Sequence, residues 1–267
     1  MKSGALLMMD ALGFKGIWAR GKDRESTAKG VIEKLSKLQE KATAKLARHF
    51  PGQGDKANLL QTFAFIQSVE AVFVSDTVIV GFQFQDMTYL TDRLKSVDPR
   101  IDERVVRSLC IALSMHHIGP IIALGAKPPF PLAYRGCLSH GDFDIRKNFI
   151  IGPAVDEAGA MMNLAQGAFV WLTPSSLATF DPTNSMVDSI TSSRVVSKWQ
   201  VPLKGGDAID TYAITPYALA SDAKKRDEAT KAILDSFIGG LDVVVKKQNT
   251  KRFLDHCVAN WKPGRLQ

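Results

Sequence analysis

Two carboxylates stand out by their surroundings. Asp10 ends the apolar run of residues 5–9 and is followed by Gly13 and Gly16, so it sits where a buried strand gives way to a turn that opens a helix. Backbone amides freed at such a turn bind phosphate, and a carboxylate at the strand end can hold a divalent ion beside them. Taken alone, an Asp before a glycine-containing turn is most often a helix cap. Asp76 lies in VFVSDTVIV, between two β-prone runs that read as a hairpin with an acidic tip, where a lone Asp is ordinarily a turn former. If the first strand runs beside that hairpin, the two carboxylates converge next to an amide-lined turn, the arrangement that two-metal phosphoryl transfer requires.

The rest of the chain must build the sheet that positions them. Val31, Leu35, Leu38, Ala42 and Leu46 recur at steps of three and four, which predicts a helix ended by Pro51, Gly52 and Gly54. Lys34, Lys37, Lys41, Lys45 and Arg48 form a second stripe on it, read as a solvated face because no aromatic residues interleave. Residues 70–84 form the acidic hairpin. Residues 87–118 are helical with a break at Asp98-Pro99, the second helix ending near Gly119. Strands resume at 133–145 and 149–155, joined by the turn at Arg146, Lys147 and Asn148.

Gly152-Pro153 opens a helix with Ala154, Ala158, Met161 and Ala165 on one face and Asp156, Ala160 and Asn163 on another. A strand at 169–173, a loop-rich stretch to 197, a hairpin of 199–203 with 209–214, and helices from 222 to 261 with a weak point at Gly239-Gly240 complete the chain. This order predicts an α+β fold in which helices cover one face of a largely antiparallel sheet.

Composition narrows the function classes. With 267 residues, 45% hydrophobic and 23% charged, the chain is an ordinary globular protein, so disorder, collagen-like repeats and a coiled-coil rod are excluded. Cys110, Cys137 and Cys257 are widely spaced and make no CxxC pair, which points to a reducing cytosol. The opening apolar run is interrupted by Asp10 before it could serve as a signal peptide core. Residues 108–126 are the most apolar, but His116, His117, Gly119 and Pro120 interrupt them, so they are read as a buried helix rather than a membrane span. The net charge of +7 fits attraction of a triphosphate better than nucleic-acid binding.

These segments together resemble the class III nucleotidyl cyclases. MMDALGF resembles that family's first-strand metal motif and VFVSDTVIVGF its second metal hairpin. YRGCLSHGDF and FIIGPAVDEAGAMMNLA resemble its dimer-facing strands and helix, and LKGGDAIDTYAI its late Lys-Gly hairpin. The resemblance implies a ferredoxin-like class III cyclase fold, a mostly antiparallel sheet flanked by helices, over residues 1–215, with a helical C-terminal extension over 216–267. It implies two Mg2+ or Mn2+ ions held by Asp10, Asp76 and the carbonyl of Ala11, and amides of Leu12, Gly13, Phe14 and Lys15 on the β- and γ-phosphates. Active sites in this family form between two subunits, so a head-to-tail homodimer with composite sites is expected.

The departures choose the substrate. Purine-specific members carry a Lys or Glu four positions before the second metal Asp and a partner residue three before the Gly that is here Gly152; this chain has Val72 and Phe149. Neither reads a purine edge by charged hydrogen bonding, and Phe149 narrows the pocket. The family's transition-state Asn and Arg align with Asp156 and Ala160, leaving Lys204, Arg146 and Lys147 as substitute cations and Arg135 as a structural strand residue. The pattern is similar to that of the bacterial antiphage (Pycsar-type) pyrimidine cyclases, cytoplasmic enzymes whose cyclic UMP or cyclic CMP acts on a separate effector. UTP is favoured over CTP; no membrane or nucleic-acid partner is expected. The competing readings are an adenylate or guanylate cyclase and a cyclase-like domain that binds nucleotide without turnover.

Overall fold

The sheet is built around β1 (Lys2–Leu12), whose side chains are apolar at both parities: Ala5, Leu7, Met9 and Ala11 fall in one buried cluster, Leu6 and Leu12 in another. A strand buried on both faces needs helices on both sides of its sheet, and that is what the computed structural model shows. It describes residues 1–12, 14–19, 23–43, 65–96, 98–147, 149–191 and 195–261. Gly13, Lys45, Leu46, Arg48, Pro51, Gly52, Gly54 and Asn148, named above, lie outside them.

After β1 come a short 3-10 helix (Phe14–Ala19), α1 (Arg24–Thr43), β2 (Ile66–Val74), β3 (Thr77–Phe84), α2 (Met87–Lys95) and α3 (Glu103–Gly125). Then follow β4 (Ala133–Arg146), β5 (Phe149–Ile151), α4 (Pro153–Met161), β6 (Val170–Leu172), α5 (Pro174–Thr179), α6 (Ser185–Ile190), β7 (Val196–Pro202), β8 (Ala208–Ile214), α7 (Ala223–Asp235) and α8 (Leu241–Asn260). The eight strands form one sheet in the order β2-β3-β1-β4-β6-β8-β7, with β5 paired to β4. Among the described residues only the β4–β6 pairing is parallel, and the other strand pairs are antiparallel. The fold is the expected α+β class, a mixed, mostly antiparallel sheet flanked by helices.

Both faces of the sheet are covered, where one was expected. Leu38 of α1, Leu90 of α2, Val106 and Leu109 of α3 and Val187 of α6 pack with the odd-numbered residues of β1. Ala154 and Ala158 of α4, Ile233 of α7 and Phe253 and Leu254 of α8 pack with Leu6 and Cys137 on the other face. The sign of this was in the continuous apolar run of β1 rather than in the order of elements.

Two further expectations are corrected. The helix expected to end near Gly119 runs on to Gly125 with Pro120 inside it. Pro120 removes one backbone donor, but the helix is walled by β4 and β8, and a Cβ on Gly119 would already lie 2.9 Å from the Cβ of Ala218. Packing holds the helix together where local propensity would end it. The stretch read as loop before residue 197 contains α5 and α6, each too short for a periodic signal. α3 is also long and apolar enough to cross a membrane, yet 83% of its apolar window is buried inside the protein, as expected of a core helix.

Candidate active site

The register of three strands brings Asp10 and Asp76 to neighbouring positions in the sheet. Asp10 pairs with Thr77 of β3, and Val74 pairs with Thr77 across a two-residue turn made of Ser75 and Asp76. Asp76 therefore sits one residue from the strand partner of Asp10. The turn is tight because Ser75 takes φ +58°, the positive value that matches the twist of a two-residue hairpin. Asp10 and Asp76 stand at the same end of adjacent strands, beside the exit of β1 into the 3-10 helix.

On its other side Asp10 pairs with Arg135 of β4, and here the side chains meet as well. Arg135 donates from Nε to Oδ1 of Asp10 at 3.2 Å and from Nη2 to Oδ2 at 3.0 Å. The Arg135 side chain is 8% exposed and that of Asp10 20%, so this is a nearly buried bidentate pair opening to solvent on the carboxylate side. Arg135 also donates to Asn163, from Nη2 to Oδ1 and from Nη1 to the main-chain oxygen at 3.4 Å. Asn163 lies in the turn that follows α4, beyond the helix that periodicity alone would have extended through it.

Arg135, read from sequence as a structural strand residue, is thus the cation in direct contact with the first candidate metal ligand. A charged residue in the otherwise apolar strand 133–139 was the available signal, since a buried guanidinium demands a counter-charge. Nothing in the sequence pointed to Asn163 as its second partner.

Asp76 has no hydrogen-bond or ion-pair partner among the described residues. Its charge is felt by Tyr134, whose hydroxyl is raised above the ordinary tyrosine range, first by burial and then by Asp76. Ala11 is paired with Tyr134 and buried. Leu12 ends β1, and Phe14 and Lys15 begin the 3-10 helix; Gly13 between them is outside the described residues.

Residues assigned to the base and the transition state are placed differently. Val72 faces Ile79 in the β2–β3 ladder, on the same hairpin as Asp76. Lys204 is exposed in the β7–β8 loop, and its amide donates to the carbonyl of Leu164 at 2.8 Å, which sets that loop against the turn carrying Asn163. Asp156 lies exposed in the first turn of α4. Phe149 is 76% exposed at the start of β5, paired with Arg146. From Arg135 to Arg146 at roughly 3.3 Å per residue is on the order of 35 Å, so one chain does not bring Phe149 to Asp10. Arg146 is bound to Asp144 at 2.8 Å, and it and Lys147 share that remote end.

Nδ1 of His116 and Nε2 of His140 are buried without a hydrogen-bond partner among the described residues. His117 meets the carbonyl of Ala42 at 2.9 Å, and Nδ1 of His140 meets Thr179 Oγ1 at 3.3 Å. The three cysteines are free and buried, and burial pushes their thiols up. No group of three or more His, Cys, Asp or Glu side chains forms a metal cluster among the described residues.

The atoms that Asp10, Asp76 and the main chain of Ala11 could offer an ion are oxygens, which suits a hard divalent ion. Each Asp10 oxygen accepts from Arg135 and keeps a further lone pair, so the residues present fit Mg2+ or Mn2+ without displacing the guanidinium.

No family model matches the chain, and no curated protein does. Among solved structures it is similar to the catalytic core of a rhodopsin-guanylyl cyclase with converted specificity in complex with ATPαS, at 14% identity over 80% of this chain and 95% of that one, with a TM-score of 0.41. A likeness that slight leaves the functional reading to the geometry of the chain itself.

Proposed function

We propose that this chain is a metal-dependent nucleotidyl cyclase of the class III type. More narrowly, it converts a pyrimidine nucleoside triphosphate, UTP ahead of CTP, to the 3′,5′-cyclic monophosphate and diphosphate, a messenger for a separate antiphage effector. The observation that carries the reading is the convergence of Asp10 and Asp76 on neighbouring strands beside the β1 exit.

Asp10, Asp76 and the Ala11 carbonyl would hold two Mg2+ or Mn2+ ions. When bound, these supply acidification of the ribose 3′-hydroxyl and neutralisation of the triphosphate. The O3′–Pα bond forms as the bond from Pα to the diphosphate oxygen breaks, and the hydroxyl proton passes to solvent. The residues after Asp10 hold the β- and γ-phosphates in line for that exchange.

Selectivity for a pyrimidine rests on Val72 and Phe149. Val72 stands on the Asp76 hairpin of the same chain, whereas Phe149 reaches a nucleotide only on a second copy, because its own carboxylates lie on the order of 35 Å away. An exposed aromatic on a projecting two-strand arm suits that role, and a head-to-tail homodimer would place it in the partner's site.

Incubating the protein with Mn2+ and each of ATP, GTP, CTP and UTP, with products separated by mass, tests the reading. Cyclic UMP as the main product is expected. A cyclic purine as the main product would overturn the pyrimidine assignment, and no cyclic product from a folded protein would leave a nucleotide-binding domain without turnover.

A further inference from the structure

We propose that Arg135 and Asn163 are positioning residues for the metal-binding carboxylate: Asn163 fixes the guanidinium of Arg135, which in turn fixes the plane and direction of the Asp10 carboxylate. The proposal rests on the metal reading of Asp10.

The geometry argues for it in three steps. The guanidinium is planar and its donors form a rigid fork, and two of those donors engage both oxygens of Asp10, at 3.2 and 3.0 Å. Side-on contact of that kind removes rotation about the last side-chain bond of Asp10, so its remaining lone pairs point to one place. Second, two of the three remaining donors of the fork go to Asn163, to its side-chain oxygen and its main-chain oxygen. Asn163 belongs to the turn after α4, so the position of that turn sets the position of the fork. Third, the pair costs desolvation that an apolar pair of the same volume would avoid. Its Asp member opens to solvent beside Asp76 instead of being sealed in the core, as a carboxylate that must meet an ion requires.

A guanidinium on the ligand has two opposing effects on a metal ion. It repels the incoming cation and it holds the ligand oxygens ready. Hydrogen-bond partners of metal-binding carboxylates are worth about 10–100-fold in metal affinity when lost, and the near-complete use of the fork makes orientation the larger effect here.

Mn2+ binding to the nucleotide-free protein, read by electron paramagnetic resonance, separates the cases, with Asp10→Asn defining the background. Arg135→Lys keeps the charge and loses the fork; Asn163→Ala leaves Arg135 intact and, being an exposed substitution, leaves folding intact should the lysine variant misfold. The expected result is Mn2+ binding weakened about tenfold or more in Arg135→Lys and weakened to a smaller degree in Asn163→Ala, with the latter still unfolding cooperatively. Wild-type binding in both variants, with binding lost in Asp10→Asn, would overturn the proposal and leave the metal site standing. Tighter binding in Arg135→Lys would overturn it by showing a competing cation. Weakening in Arg135→Lys alone would remove Asn163 from the chain of support. Absence of any Asp10-dependent Mn2+ site in the wild type would overturn the metal reading and this proposal together.

Discussion

Asp10 and Asp76 differ in what surrounds them, and the difference predicts how their variants behave. Asp10 is held by Arg135 on one side and faces Thr77 on the other, while Asp76 stands on a solvent-facing turn without a partner among the described residues. Asp76→Asn removes a ligand charge and little else, so turnover should fall about 1,000-fold, the equivalent of roughly 4 kcal/mol of transition-state stabilisation, with an unchanged melting temperature. Asp10→Asn should lose as much turnover and also some stability, because it leaves a nearly buried guanidinium half-paired. Product formation by mass spectrometry, set beside thermal unfolding of the same samples, checks both; equal melting temperatures for the two variants would show the Arg135 pair to be energetically idle. Both carboxylates were legible in the sequence because each interrupts an apolar run. Arg135 carried a signal, a charge in an otherwise apolar strand, and Asn163 carried none, since its contact with Arg135 depends on where α4 stops.

At the scale of elements, β4 is the strand on which the site depends, and its tolerance to change is narrow. A Cβ on Gly136 would stand 2.2 Å from the carbonyl oxygen of Met8 and 2.4 Å from the Cβ of Met9, so β1 and β4 approach here as only glycine allows. Gly136→Ala should destabilise the protein by about 1–3 kcal/mol and disturb the neighbouring Asp10–Arg135 pair, seen as a lower midpoint in denaturant and weaker Mn2+ binding together. α3 carries a different prediction. His116 and His117 are both lowered below the usual histidine range, chiefly by burial. The native state thus binds fewer protons than the unfolded chain below about pH 6.5, and stability falls as the pH drops through that value. Melting temperature should decline from pH 7 to pH 5, and less steeply in His117→Gln, which keeps a donor for the Ala42 carbonyl; identical slopes would exclude His117. Strands and hairpins were readable from period-two patterns bounded by turn residues. The full length of α3 and the short α5 and α6 were not, because tertiary packing sustains the first through Pro120 and the other two are shorter than two turns.

For the whole molecule, the last two helices are part of the core rather than an appendage. Phe253 packs edge-on to Phe169 at 5.3 Å, Asn249 donates to the Gln166 carbonyl at 2.8 Å, and the Thr250 hydroxyl accepts from the Ala168 amide at 2.8 Å. These contacts hold the segment just beyond Asn163, and a chain ending at residue 215 should be insoluble or lose cooperative unfolding. Assembly makes a sharper prediction. Within one chain the metal carboxylates and Phe149 lie at opposite ends of β4, on the order of 35 Å apart, yet the proposed reaction needs both at one nucleotide. Two copies related by a twofold axis satisfy this with two identical sites, each using Asp10 and Asp76 of one protomer and Phe149 of the other. Asp76→Asn, which loses a ligand charge, and Phe149→Glu, which sets a carboxylate against the nucleotide, should each be inactive as a homodimer and damage different halves of a shared site. When the two are mixed and allowed to exchange, half of the dimers are hybrids with one undamaged site, so roughly a quarter of wild-type activity should return. If each chain carried a complete site of its own, mixing would restore nothing beyond the sum of the two residual activities, and the assignment of Phe149 to the partner's nucleotide would fall.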